Sequence, residues 1–140
     1  MNTTEWRELM LALESSEVSI CVEAAAKLHA EASEEDIPRL LALLESEDFF
    51  LREAAAWPLA ELNGPLHLRQ LLVAYQRGFD DGHDNDGFTA ALLEIPSLFP
   101  TQAPVALSKF IELAEEPLRG HAAWLFEFCP GVAPSTRHGA

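Results

Sequence analysis

Helical periodicity that almost never lapses is what most constrains this chain. Trp6, Leu9, Met10 and Leu13 stand at i, i+3, i+4 and i+7, and Val18, Cys21, Val22, Ala25 and Leu28 continue the pattern. At 3.6 residues per turn this spacing gathers apolar side chains on one helical face. Ser33 and Asp36, spaced as a capping box, precede a third stripe of Ile37, Leu40, Leu41 and Leu44. A fourth holds Leu51, Ala54, Ala55, Leu59 and Leu62, and "NGP" at 63–65 should end it with a left-handed Asn or Gly cap followed by proline. Leu68, Leu71, Leu72 and Tyr75 form a fifth, closed by Gly78. Phe88, Ala91, Leu92 and Ile95 form a sixth, ended by Pro96. Leu107, Phe110, Ile111 and Ala114 make a seventh. Pro117 suits the first turn of an eighth helix through Leu118, Ala122 and Leu125, which "CPG" ends. No segment alternates as a strand would. The expected class is all-α, with about eight short helices. Pro58 falls inside the fourth helix and is expected to kink it, leaving the Ala54 carbonyl free; in a straight helix it would cost about 3 kcal/mol.

A chain of 140 residues, 49% apolar, can bury one core without metals or disulfides. Cys21 and Cys129 are too few for a disulfide framework, and Cys21 on an apolar face acts as a small hydrophobe, which fits a reducing compartment. There is no long uncharged apolar run, and "MNTTEWRELM" lacks the basic start and apolar core of a signal peptide, so a cytoplasmic protein is expected. Charge says more. Nine Lys and Arg face 23 Asp and Glu, a formal charge of −14. Phosphate neutralisation needs cations, so nucleic acids and anionic membranes are excluded as expected partners. Residues 1–63 carry 14 acidic and four basic side chains, and residues 64–140 carry nine and five. A basic protein partner fits such a field, although acidity also serves solubility.

The stripes repeat. "LREAAAW" at 51–57 returns as "LRGHAAW" at 118–124, aligning Arg52 with Arg119 and Trp57 with Trp124. "LESSEVSICVEAAAKL" at 13–28 parallels "LESEDFFLREAAAWPL" at 44–59 with a one-residue gap, about 31 residues on. A period in this range belongs to helical hairpins that bury their apolar faces by stacking. At these residues the chain resembles the HEAT-repeat family: "EEDIPRLLALLESEDFFLREAAAWPLAELNG" has the early Pro38, a Leu-rich end, the acidic turn at Asp48, Arg52 and the run Ala54–Ala56. The resemblance implies a right-handed α-α superhelix of about four hairpins over residues 1–130, with 131–140 as a flexible tail. It also implies structural roles for Asp48 and Arg52, as a ladder between repeats, and the same arginine role for Arg119. The third unit lacks that arginine. Trp57 and Trp124 repeat in register, which points first to packing between helices; Trp57 also lies where interfaces concentrate energy.

In place of that arginine the third unit carries "GFDDGHDNDGF" at 78–88. A calcium loop of EF-hand type fails on register: with Gly87 at position six, Gly82 falls at one and Leu93 at twelve. A divalent site outside the EF-hand pattern, through Asp80, Asp81, Asp84 and Asp86, stays as an alternative, its ligands all from one loop. His83 has no second histidine at helical spacing for a transition metal, and no metal is the expectation. Clustered aspartates on a glycine-rich turn are solvated rather than tuned for acid–base work, and no nucleophile elbow or phosphate loop appears, so neither catalytic residues nor a cofactor are expected. Asp84, Asn85 or Asp86 can cap the sixth helix. Four aspartates exceed what a cap needs, and Asp80, Asp81, His83, Asp84 and Asp86 therefore read as a partner-binding edge, joined by Glu53, Trp57 and Glu61. Size and acidity make the chain look like bacterial HEAT-type immunity proteins, which occlude a toxin, and a basic toxin domain is the partner this resemblance implies. The expected state is a monomer or weak dimer. Two alternatives stand beside this reading. One is a subunit or assembly chaperone of a larger complex, with exposed apolar patches on its terminal helices. The other is a protein like the HEAT-like lyases that attach bilin pigments, with an acid converging on a deep pocket.

Overall fold

The computed structural model describes residues 1–131, so most of the expected C-terminal tail lies outside the described residues. Among them are eight α-helices and no strand, as the periodicity predicts. They are α1 (Thr3–Leu13), α2 (Val18–Glu31), α3 (Ile37–Leu44), α4 (Phe49–Asn63), α5 (Leu68–Asp80), α6 (Asp86–Leu98), α7 (Gln102–Leu113) and α8 (Leu118–Phe126). Short 3-10 turns at Glu34–Asp36 and Gly64–Leu66 precede α3 and α5. At the first of these the Asp36 carboxylate accepts from the Ser33 amide at 2.9 Å, the reach of the expected capping box. The peptide bond between Glu116 and Pro117 is cis, and Pro117 caps α8 rather than opening its first turn.

Neighbours in sequence pair as α1 with α2, α3 with α4 and α7 with α8. The even-numbered helices also pack in succession, α2 on α4, α4 on α6 and α6 on α8. Helix α4 is the centre of this row. Its Leu51, Ala54, Ala55, Ala56, Leu59 and Ala60 are all buried, and the alanines admit close neighbours on two sides. One continuous core runs from Leu9 to Cys129, and each fully buried leucine, Leu28, Leu59 and Leu92 among them, contributes about 2 kcal/mol. The odd-numbered helices form a less regular layer. Helix α3 packs on α5, whereas α7 packs on α8 and on the turn Gly64–Leu66 and meets α5 through Arg69 over the Phe110 ring.

Three local expectations are corrected. Gly64 caps α4 with φ −50°, a right-handed conformation; it must be glycine because a Cβ there would sit 2.5 Å from Ile95 Cγ1. Gly78 does not close α5, which runs on to Asp80; it is buried within the helix. Pro96 does not end α6 either: the helix continues to Leu98, and the Phe99 amide bonds the Ile95 carbonyl at 3.0 Å to close its last turn. Helix α4 runs on across Pro58, whose ring is buried in the core. Near a helix end few backbone bonds depend on the missing amide.

Candidate functional site

The turn from Asp81 to Asn85 is held by devices at both ends. Gly82 adopts φ +77°, open to glycine and strained for other residues. The Gly82 amide then bonds the Phe79 carbonyl at 3.0 Å and the His83 amide bonds the Gly78 carbonyl at 2.9 Å, the paired bonds of a Schellman cap. Asn85 stands at the cap position of α6 but turns its side chain inward. It is buried, donates through Nδ2 to the Tyr75 carbonyl at 2.8 Å, and lies so close to Gly78 that a Cβ there would be 2.2 Å from its Oδ1. Capping falls to two carboxylates instead. Asp84 Oδ1 accepts from the Asp86 amide at 2.9 Å. Glu53 reaches across from α4 to accept from the Phe88 amide. Both sit at the positive end of the α6 dipole. Burial nevertheless pushes the Glu53 carboxyl up from the ordinary range; the Phe88 bond opposes this, and the Asp84 charge adds to it.

Asp81 and His83 are drawn into the protein's own framework. Arg52 is 0% exposed, and its Nη1 donates to the Ser46 and Glu47 carbonyls at 3.0 and 3.1 Å. Its Nη2 faces Asp81 at 3.6 Å as an ion pair without a hydrogen bond. Arg77 approaches the same carboxylate at 3.8 Å and donates to Glu47 Oε2 at 2.6 Å. His83 stacks on Phe49, ring centroids 4.4 Å apart. Asp48 pairs with neither arginine: it caps α4 by accepting from the Phe50 amide at 2.8 Å. The Asp48–Arg52 ladder implied by the resemblance is not formed; Arg52 instead bonds backbone carbonyls of the turn before its own helix. Arg119 does the same in the α7–α8 turn, its Nε donating to the Ala114 carbonyl at 2.9 Å.

Asp80 faces a different way, accepting from Gln76 Nε2 at 2.8 Å, while Gln76 Oε1 meets His121 Nε2 at 2.7 Å. Burial lowers the His121 pKa below the usual imidazole value. Trp124 stacks on Tyr75 at 6.3 Å between centroids, a packing contact of α5 with α8. The remaining residues converge. Glu53, Trp57 and Glu61 follow one another at i, i+4 and i+8 on α4. Glu53 and Trp57 line a shallow depression of about 190 Å³ between α2 and α4, together with Phe50 and His29. His29 Nε2 bonds Glu61 Oε1 at 2.8 Å and its ring leans on Trp57 at 5.3 Å. Of the eight residues expected at a partner-binding edge, Glu53, Trp57 and Glu61 share one face of α4, and Asp84 lies near Glu53 with Asp86 two residues on. His83 stacks on Phe49 at the start of that face, whereas Asp81 turns to Arg52 and Arg77 and Asp80 to Gln76. Sequence reasoning missed Arg77, although its spacing of four from Asp81 was readable. It also missed His29, which carried no signal.

Among the described residues no three His, Cys, Asp or Glu side chains gather as a metal ion requires. No helix there is long and apolar enough to cross a membrane. An open groove of about 800 Å³ runs between α5 and α7, with no carboxylate in its lining. Fold and site together define an all-helical protein of paired helices with an acidic, aromatic strip along its central helix. A scan against protein-family models, a search of curated proteins and a search of solved structures each find no match to the chain.

Proposed function

We propose that the chain is a non-catalytic, protein-binding module, a right-handed superhelix of HEAT-like hairpins that docks a basic protein through the strip Asp84, Asp86, Glu53, Trp57 and Glu61. A cytoplasmic immunity protein that occludes a basic toxin domain is the form this takes. One observation carries the reading. Asp81 is matched by Arg52 and Arg77, whereas among the described residues Asp84, Asp86 and Glu53 have no cationic partner. A lysine or arginine laid over Trp57 would meet both the ring face and these carboxylates. The test is affinity for any cationic effector domain encoded beside the gene. The double variant Asp84→Lys with Asp86→Lys is expected to weaken binding at least tenfold, about 1.4 kcal/mol, and to flatten its salt dependence. Equal binding by the variant removes the strip from the interface, and no binding by the natural chain abandons the immunity reading.

A second reading, a subunit of a larger complex, has its own support. Leu11, Val18 and Val22 on the first two helices and Phe128 after the last are more than half exposed. Coelution with a stable assembly in native extracts would favour it. The cofactor-handling alternative calls for an acid converging on a deep pocket, and the α5–α7 groove offers none.

A further inference from the structure

The groove between α5 and α7 shares no residue with the strip and has the opposite charge. Along α7, Gln102, Val105, Ala106, Lys109, Phe110 and Leu113 form one wall. Their spacing is a single helical stripe about 16 Å long at 1.5 Å per residue. Arg69 lies over the Phe110 ring at 5.3 Å from the opposite side. Leu66 is 72%, Val105 66% and Leu113 78% exposed, an apolar surface left open in a chain of charge −14. Two of its nine cations, Arg69 and Lys109, edge this one surface, and among the described residues neither has a carboxylate partner. Contiguous exposed apolar surface rimmed by charge marks an interaction site.

We propose that the groove receives an amphipathic helix of a partner protein, its apolar residues at i, i+3, i+4 and i+7 lying along α7 and its flanking carboxylates meeting Arg69 and Lys109. Helix-in-groove docking needs a long apolar trough with charges at its edges, and this trough is about three turns long. A small ligand fits less well: small-molecule pockets enclose about 70–90% of their ligand, whereas these walls are themselves mostly open to solvent. A second copy related by a two-fold axis would bring the same two cations to one interface with no groove carboxylate to meet them.

The probe is a fluorescein-labelled synthetic helix of about sixteen residues, leucines at the four anchor positions and glutamates beside them. It is titrated with the full chain by fluorescence anisotropy at about 0.15 M salt, where the Debye length of about 8 Å screens the protein's net repulsion. Saturable binding with Kd on the order of tens of micromolar is expected. Val105→Asp and Leu113→Asp should each weaken it roughly tenfold or more, and Lys109→Glu roughly three- to tenfold. All three side chains are exposed, and unchanged circular dichroism and Tm report an intact fold. Absence of saturable binding, or binding indifferent to these substitutions, overturns the proposal. So does a dimer in sedimentation equilibrium that Val105→Asp dissociates, which makes a second copy the occupant. Dodecanoate binding with the same dependence on Val105 and Lys109, in place of peptide binding, assigns the groove to an anionic amphiphile and also overturns it.

Discussion

Arg52 shows how differently a buried cation and a half-exposed anion count. Its guanidinium is fully enclosed and spends its bonds on two backbone carbonyls, while Asp81, 47% exposed, supplies charge at 3.6 Å. Removing a buried charged donor strands its acceptors, so Arg52→Ala should lower stability by about 3 kcal/mol in urea unfolding. Asp81→Asn should cost no more than about 1 kcal/mol, because solvent screens that pair. If the two losses were equal, the carbonyl bonds would not be the arginine's principal anchor. Glu53 gives a test with a definite sign. Its pKa in the folded protein is raised by burial, so the protonated form is the one the fold favours. The stability it contributes is present below the unfolded pKa and is lost as pH rises through the folded one. Glu53→Gln keeps an acceptor for the Phe88 amide and removes the charge. It should raise Tm at about pH 7, with the gain vanishing towards about pH 4. A lower Tm at neutral pH would mean that the α6 dipole outweighs burial.

At the scale of elements, the α5–α6 turn is specified by contact as much as by backbone freedom. Gly82 is needed for its positive φ, and Gly78 because Asn85 leaves no room for a methyl group. Gly78→Ala should displace the Asn85 amide from the Tyr75 carbonyl and cost about 2–3 kcal/mol, despite the better helix propensity of alanine. A calorimetric Tm at or above that of the natural chain would contradict this. The helices themselves were legible because apolar spacing of three and four residues leaves its trace in any window, and all eight stripes became helices. Their ends were less legible. Gly78 and Pro96 look like stop signals locally, yet α5 and α6 run past them. Gly64 does end α4, but in a right-handed conformation, with Ile95 leaving no room for a Cβ. The site was legible in part. Acidity pointed to the turn, but only the fold shows that Asp81 belongs to Arg52 and that Glu53, on another helix, belongs to Asp84. The α5–α7 groove left no mark, since its apolar stripe on α7 is written in the same spacing as a core face.

For the molecule as a whole, charge and packing pull apart. A formal −14 on 140 residues is a standing repulsion that burial must outweigh. Raising salt from about 0.01 to 0.15 M shortens the screening length from about 30 to 8 Å and should raise Tm, and a flat response would mean that the carboxylates are already well dispersed. The paired helices also tie the two surfaces to one scaffold, since α5 turns through Asp81–Asn85 into α6 and forms a wall of the groove. The carboxylates of Asp84 and Glu53 have a double employment. They hold the amides of Asp86 and Phe88 at the start of α6, and they are the groups offered to a visiting cation. A guest that claims them competes with the helix for the same lone pairs. Association should therefore loosen the first turn of α6 while it tightens the surface around Trp57. Hydrogen exchange at the Asp86 and Phe88 amides should quicken on complex formation, and slower exchange there would show that the two roles do not compete.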